Sequence, residues 1–295
     1  MLKLRDGIVE LFRKVATSIP PDVDLALRGA FDSETMESKE TLSIILENIT
    51  LARQEKKPVC QEFGVPVFWV RLPGGLSRKE ISSIILKGTG MAVSKVPLAG
   101  VHGACPTFSH EAHCMNIAEP VIYYEQFEGT SLVIDLMLMG ADCENAGGFH
   151  CIPAVASPKE NAFANEALNE ALIYGDLFNG VATRVTETIL RAQGRGCPPY
   201  IVGIGIGGAR DSAAALSKSQ LLRKLNDVNP ISYLHDMEMA ILSDINRLQT
   251  GPIGLGGNTS ALGVKIGVSN WHFSSNFVDI SLSCWALRRG RLIWS

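Results

Sequence analysis

A mixed α/β fold, with a helical N-terminal part over about residues 1–57 followed by a sheet flanked by helices, is what this sequence predicts. Three observations predict it. Apolar residues recur at helical spacing through the first fifth of the chain, short runs of β-branched and aromatic residues appear after it, and the two patterns then alternate without repeats, low-complexity tracts or a linker. With 46% hydrophobic residues, the 295-residue chain can bury a large core, and it is read as one domain over 1–295.

Leu4, Ile8, Leu11, Phe12 and Val15 recur among Lys3, Arg5, Asp6, Glu10, Arg13 and Lys14, an amphipathic helix rather than the unbroken apolar core of an export signal. Pro20-Pro21 opens a second helical stretch, and Ser33 to Glu37 breaks it. Leu42, Ile45, Leu46, Ile49 and Leu51 carry a third, which Pro58 stops. Val65 to Leu72 is a strand closed by Pro73-Gly74-Gly75, and Ser77 caps a helix reaching about Met91. From Val96 to Pro120 there is no period, only a gathering of His, Cys, Gly and Pro that reads as a loop with a capacity for function. Ser131 to Gly140 is a buried strand, and Pro158 to Gln193 is helical with a break around Gly175 to Gly180. Tyr200 to Ile206 is a strand, Gly207-Gly208 a turn, and Ala209 to Leu225 and Ser232 to Leu248 are helices. After the glycine-rich Gly251 to Gly257 come strands at Ala261 to Val268 and Val278 to Ser283.

A net charge of -3, a pI near 6.1 and scattered Lys and Arg leave no basic surface for nucleic acid or an acidic membrane face. The most apolar stretch, Ser131 to Ala141, contains Asp135 and is too short to cross a bilayer. A soluble, cytoplasmic protein is expected. Seven cysteines without a secretory signal argue against a disulfide framework and leave two uses, buried small hydrophobes or thiolates for metal or catalysis.

Three of these cysteines stand at element junctions: Cys60 before a strand, Cys197 before another, and Cys284 after a third. Cys60 precedes Cys197 by 137 residues and Cys284 follows it by 87, so no CxxC pair exists and spacing alone leaves both uses open. The surrounding residues say more. Val59-Cys60-Gln61-Glu62-Phe63-Gly64, Cys197-Pro198-Pro199 with Gly203-Ile204-Gly205-Ile206-Gly207-Gly208, and Cys284-Trp285-Ala286-Leu287-Arg288-Arg289-Gly290 occur in order. With Ile19-Pro20-Pro21-Asp22-Val23, Leu46-Glu47-Asn48-Ile49 and the run from Gly251-Pro252-Ile253 through Asn258-Thr259-Ser260 to Val264, the chain resembles the class I iron-sulfur fumarases and the alpha subunit of L-tartrate dehydratase over nearly its whole length.

That resemblance implies a hydro-lyase that reversibly removes water from a small 2-hydroxy-dicarboxylate. It further implies a 4Fe-4S cluster held by Cys60, Cys197 and Cys284, with one iron free of protein ligands to act as a Lewis acid. His272, twelve residues before Cys284, falls where the family carries a substrate-contacting histidine, and Gln61 matches its glutamine beside the first cysteine. Glu62 replaces the family's aspartate and is a candidate for proton transfer or for orienting Gln61, while Arg288 and Arg289 are candidates for pairing with a substrate carboxylate or with the cluster's negative charge. Phe63 stands where relatives have a hydroxyl, which predicts a reshaped pocket. An arginine that relatives place after a Pro-Leu pair is missing after Pro97-Leu98. The family's remaining substrate-binding residues lie on a second domain, so a beta subunit and an oligomer are expected.

Three rival readings stand beside this one. His102, Cys105, His110, His113 and Cys114 supply five zinc-compatible side chains within thirteen residues, enough for the roughly four ligands of a zinc ion. Gly203, Gly205 and Gly208 satisfy GxGxxG after a strand, with Asp227 further on, the pattern of a dinucleotide-dependent oxidoreductase. A catalytically degenerate alpha-subunit homologue with a scaffold or regulatory role is the third.

Overall fold

The computed structural model describes residues 2–96, 120–152, 166–269 and 277–295, with only the backbone of 166–177. The chain forms two compact units: residues 1–25, 43–141 and 286–295 make the first, and 26–42 with 142–285 the second. Helices α1 (Leu2–Thr17), α2 (Pro21–Ser33) and α3 (Met36–Glu55) make the helical N-terminal part, and the mixed α/β class holds. Among the described residues no helix is long and apolar enough to cross a membrane.

In the first unit, strands β1 (Val65–Leu72), β2 (Val121–Gln126), β3 (Leu132–Met139) and β8 (Arg288–Trp294) form a sheet in the order β2-β1-β3-β8. Only the β1–β2 pairing is parallel. The apolar stripe of α1 packs on this sheet, with Phe12 edge-on to Phe68 at 5.9 Å between centroids. Helix α4 (Arg78–Lys95), whose first turn is capped by the Ser77 hydroxyl, closes the same core. Gly88 lets α4 approach α1, because a Cβ there would stand 2.8 Å from Ile8. Asp135, the charge inside the apolar β3, meets Arg291 directly opposite on β8 with bonds of 2.6 and 3.0 Å.

The second unit holds strands β4 (Gly148–Cys151), β5 (Tyr200–Ile206), β6 (Ala261–Val268) and β7 (Phe277–Ser283) in the order β4-β7-β5-β6, with β5 buried along its whole length. Helices α6 (Glu166–Ala192), α7 (Arg210–Gln220) and α8 (Ser232–Arg247) pack on it, and the short α5 (Ala141–Ala146) leads into β4. The expected break near Gly175 to Gly180 is absent, since α6 runs through it. Gly180 serves packing instead, and a Cβ there would meet Ile152 at 3.0 Å.

Candidate functional site

In the second unit, α6 ends in a tight turn that presents Cys197. Gly196 and Cys197 both adopt left-handed backbone, at φ +80° and +55°, and the Cys197 N–H closes the turn on Gly194 O at 3.3 Å. Gly196 fits because its left-handed φ strains any residue with a Cβ, while the space itself would admit one, with Cys143 Sγ and the Tyr200 ring in ordinary contact at 3.5 Å from the Cβ position. Beyond β7, the Trp285 N–H donates to Cys197 O at 3.2 Å, which ties the residue after Cys284 to Cys197 itself. Tyr200 lies beneath, fully buried, its hydroxyl donating to Gln193 O at 2.6 Å and to Arg195 O. Burial raises its pKa, and the thiols of Cys143, Cys197 and Cys284 around it raise it further. Thus two of the three expected ligand cysteines share one neighbourhood.

The glycine-rich loop braces this turn. Ile253 N–H donates to Pro198 O at 2.7 Å. Gly254 lies so close to Gly194 that a Cβ would be 2.4 Å from its Cα. The loop is in turn held by Glu34, at the break between α2 and α3. Its buried carboxylate accepts from the N–H groups of Asn258 at 2.8 Å, Thr259 at 2.5 Å and Thr35 at 3.2 Å, while the Ser38 hydroxyl donates to Gly256 O at 2.8 Å. Asn246 Oδ1 accepts from Ser260 and Ala261 at 2.8 and 2.9 Å. Sequence reasoning missed Glu34 and Tyr200. A Tyr directly after Cys197-Pro198-Pro199 was a usable signal for the second, and nothing local marked the first.

In the first unit, Cys60 occupies the turn between α3 and β1. Val59 before it is fixed on both sides, its N–H donating to Ala16 O and its carbonyl accepting from Asn48 Nδ2, each at 2.9 Å. Cys60 Sγ accepts the Glu62 N–H at 3.4 Å. Gln61 is exposed, and half-buried Glu62 accepts the Ala141 N–H at 2.5 Å. Arg288, expected among the substrate ligands, is only 3% exposed, and its Nη1 donates to the carbonyls of Glu62 and, at 3.2 Å, Phe63. Arg289 pairs with Asp22 at 2.5 Å. The Phe63 ring is buried in the core of its unit.

His272 lies outside the described residues, as does 97–119 with His102, Cys105, His110, His113 and Cys114. Among the described residues no three His, Cys, Asp or Glu side chains stand together as a metal-holding group. Cys60, Cys143, Cys151, Cys197 and Cys284 are all unbridged, and Cys143 differs from the expected ligands in being buried with its S–H directed at Gly196 O, 3.5 Å away. The dinucleotide reading fails on geometry. Gly203 and Gly205 lie under α7, where a Cβ would stand 2.2 Å from Ser217 O and 2.3 Å from Ala213 O, so they serve helix packing rather than phosphate approach. Asp227, the expected ribose ligand, is engaged by Arg223 at 2.9 and 3.0 Å and by Lys265 at 2.6 Å.

Comparison with known proteins supplies what these turns share. The family model described as fumarate hydratase (fumerase) matches residues 5–292, a span containing all three cysteine turns, the Glu34 break and the glycine-rich loop. The chain belongs to the fumarate hydratase family. Relatives include a Geobacillus stearothermophilus protein provisionally described as a class I fumarate hydratase, 31% identical over 98% of this chain and 54% of its own length. A Methanocaldococcus jannaschii protein, provisionally an L(+)-tartrate dehydratase alpha subunit, is 34% identical over 98% of this chain and 96% of its own. The L(+)-tartrate dehydratase alpha subunit of Escherichia coli K12 is 27% identical over 99% of this chain and 90% of its own. This chain therefore spans about half of the Geobacillus protein and nearly all of the Methanocaldococcus one. The fumarate hydratase family is named for hydro-lyase chemistry, the addition or removal of water.

Proposed function

We propose that this chain is the alpha subunit of a hydro-lyase that reversibly removes water from a small 2-hydroxy-dicarboxylate of the malate or tartrate type. It works in an oligomer with a beta subunit and holds a 4Fe-4S cluster on Cys60, Cys197 and Cys284. The observation that carries the reading is the Trp285–Cys197 backbone bond over Tyr200, which brings two of the proposed ligand segments together inside a family match covering all three. The donor set fits the group in kind: the thiols are unbridged, none of the three is fully buried, and Cys60 Sγ receives a backbone N–H of the sort that tunes cluster thiolates. A reducing cytoplasm suits unbridged thiols. When bound, a cluster with one iron lacking a protein ligand supplies a Lewis acid for loss of hydroxide.

The chain's own residues do the rest. Gln61, exposed beside Cys60, offers its amide to a substrate carboxylate, and His272 takes the same duty from the segment before Cys284. Glu62, aimed by the Ala141 N–H, is the candidate for moving the proton at the adjacent carbon. Arg288 is a positioning residue, since its guanidinium clamps the carbonyls that follow Gln61. Tyr200 and the Glu34-held loop keep Cys197 on its strained turn.

The test is substrate profiling of the reconstituted alpha and beta pair under nitrogen, with tartrate, malate and citramalate. Turnover of at least one is expected, with about four irons per pair and loss of both iron and activity in Cys60→Ser, Cys197→Ser and Cys284→Ser. Full turnover by the chain alone would remove the beta subunit from the proposal, and iron retained in Cys284→Ser would remove the ligand assignment.

A further inference from the structure

Arg288 carries a charge that no carboxylate among the described residues neutralises. It is 3% exposed, and Lys265 is the only other buried cation among the described residues. Lys265 is paired with Asp227 at 2.6 Å. The other two arginines of β8, both less buried, are paired as well, Arg289 with Asp22 at 2.5 Å and Arg291 with Asp135 at 2.6 Å. Arg288 meets carbonyl oxygens instead: Nη1 donates to Glu62 O and, at 3.2 Å, to Phe63 O, while its buried Nε has no hydrogen-bond partner. A guanidinium taken out of water without a counter-charge is strongly unfavourable unless an anion stands close by.

The surroundings are shaped to hold the fork where it is. Gly64 has left-handed backbone at φ +77°, and a Cβ there would stand 2.7 Å from Met139 O and 3.0 Å from Arg288 Nη2, so a side chain at this position would crowd the guanidinium. Glu62 joins the cation to Cys60, because its carbonyl accepts from Arg288 Nη1 while its N–H donates to Cys60 Sγ at 3.4 Å. A single residue thus lies between guanidinium and thiol.

We infer that Arg288 is the buried counter-charge of the anionic cluster that Cys60 helps to hold, an electrostatic duty beyond its clamp on the Cys60 turn. The inference rests on the cluster assignment above. Thiolate ligands leave such a cluster net negative, and each one-electron reduction adds a further negative charge. A fixed cation sheltered from water favours the more negative state, so Arg288 raises the reduction potential. The guanidinium suits a buried position because it is more weakly hydrated than an ammonium, and its planar fork serves two carbonyls at once. Charge and clamp are separable, since other side chains can supply one without the other.

The experiment is a potentiometric titration of the reconstituted alpha and beta pair under nitrogen, with viologen mediators and visible absorbance as the readout, on the parent, Arg288→Lys, Arg288→Gln and Arg288→Met. Lysine keeps the charge and loses the fork, glutamine keeps donors for the carbonyls and loses the charge, and methionine keeps only the bulk. At a fixed potential the two neutral variants should lower the ratio of reduced to oxidised cluster about tenfold, a downward shift of about 59 mV for one electron, with Arg288→Lys within about twofold of the parent. Iron retained by Arg288→Lys and lost from both neutral variants supports the same conclusion. A clamp with no electrostatic duty predicts the reverse order, glutamine at the parent's potential and lysine displaced, and that order overturns the inference. Equal shifts in lysine and glutamine, no shift in the neutral variants, or iron lost from all three overturn it too. Should neither neutral variant fold, Arg288→Lys decides: a ratio near the parent's supports the counter-charge, and a tenfold fall removes it. A parent pair that binds no iron removes the cluster assignment together with this inference, whereas an iron-loaded parent with an unshifted Arg288→Gln removes the inference alone.

Discussion

Replacing Glu34 with alanine tests whether the glycine-rich loop holds the Cys197 turn. The carboxylate is 7% exposed and accepts three backbone N–H groups, of which Thr259 is buried and Asn258 partly so. Leaving a buried donor unsatisfied costs about 1–3 kcal/mol, so losing the Asn258 and Thr259 bonds comes to about 2–6 kcal/mol. The buried charge removed with them offsets part of this, which puts the expected loss nearer about 2–3 kcal/mol. Glu34→Gln should fall between, because one carboxylate oxygen becomes an NH2 facing N–H donors. Amide hydrogen exchange followed by mass spectrometry is the direct assay. Protection should drop at Asn258 and Thr259 and then, through the Ile253–Pro198 bond, around Ile253 and Cys197. Unchanged protection across 251–261 in Glu34→Ala would refute the brace, whatever happened to the unfolding midpoint.

Gly205→Ala drives a Cβ to 2.3 Å from Ala213 O and 2.7 Å from Ser217 N, so α7 must back away from β5 at a cost of about 1–3 kcal/mol. Gly90→Ala, with nothing within 4 Å in an exposed stretch of α4, should instead stabilise by about 0.5–1 kcal/mol; thermal unfolding of the two would reverse the argument if they moved together. His150 favours the neutral ring because burial, Arg184 and Arg191 lower its pKa below 6.5. Its contribution is therefore fully present above pH 6.5 and lost as pH falls through the lowered folded value. His150→Gln, which can still reach Thr188, should flatten stability on the acid side of pH 6.5, and an acid limb identical to that of the parent would count against the assignment.

Local pattern determined much of this protein. The apolar stripe of α1, the cap at Ser77, strands β1, β5 and β6, and the α2–α3 break are readable because each is written within a few turns or residues of chain. The cysteine motifs were equally legible, and family membership follows from their order. Three of the four edge strands were not. β2, β4 and the arginine-rich β8 carry little periodicity, and they form strands because β1, β7 and β3 offer unpaired edges at the right register. The same limit governed individual residues. GxGxxG looks alike whether its glycines admit a phosphate or a helix, and only the 2.2–2.3 Å approaches of α7 decide between them. Arg288 read as a candidate partner for a substrate carboxylate until β8 carried it beneath the Glu62 and Phe63 carbonyls, 226 and 225 residues away. Glu34 had no signature at all, since the N–H groups it serves lie 224 and 225 residues further on. Hydrogen-bond partners that distant are chosen by packing, which no window of sequence contains.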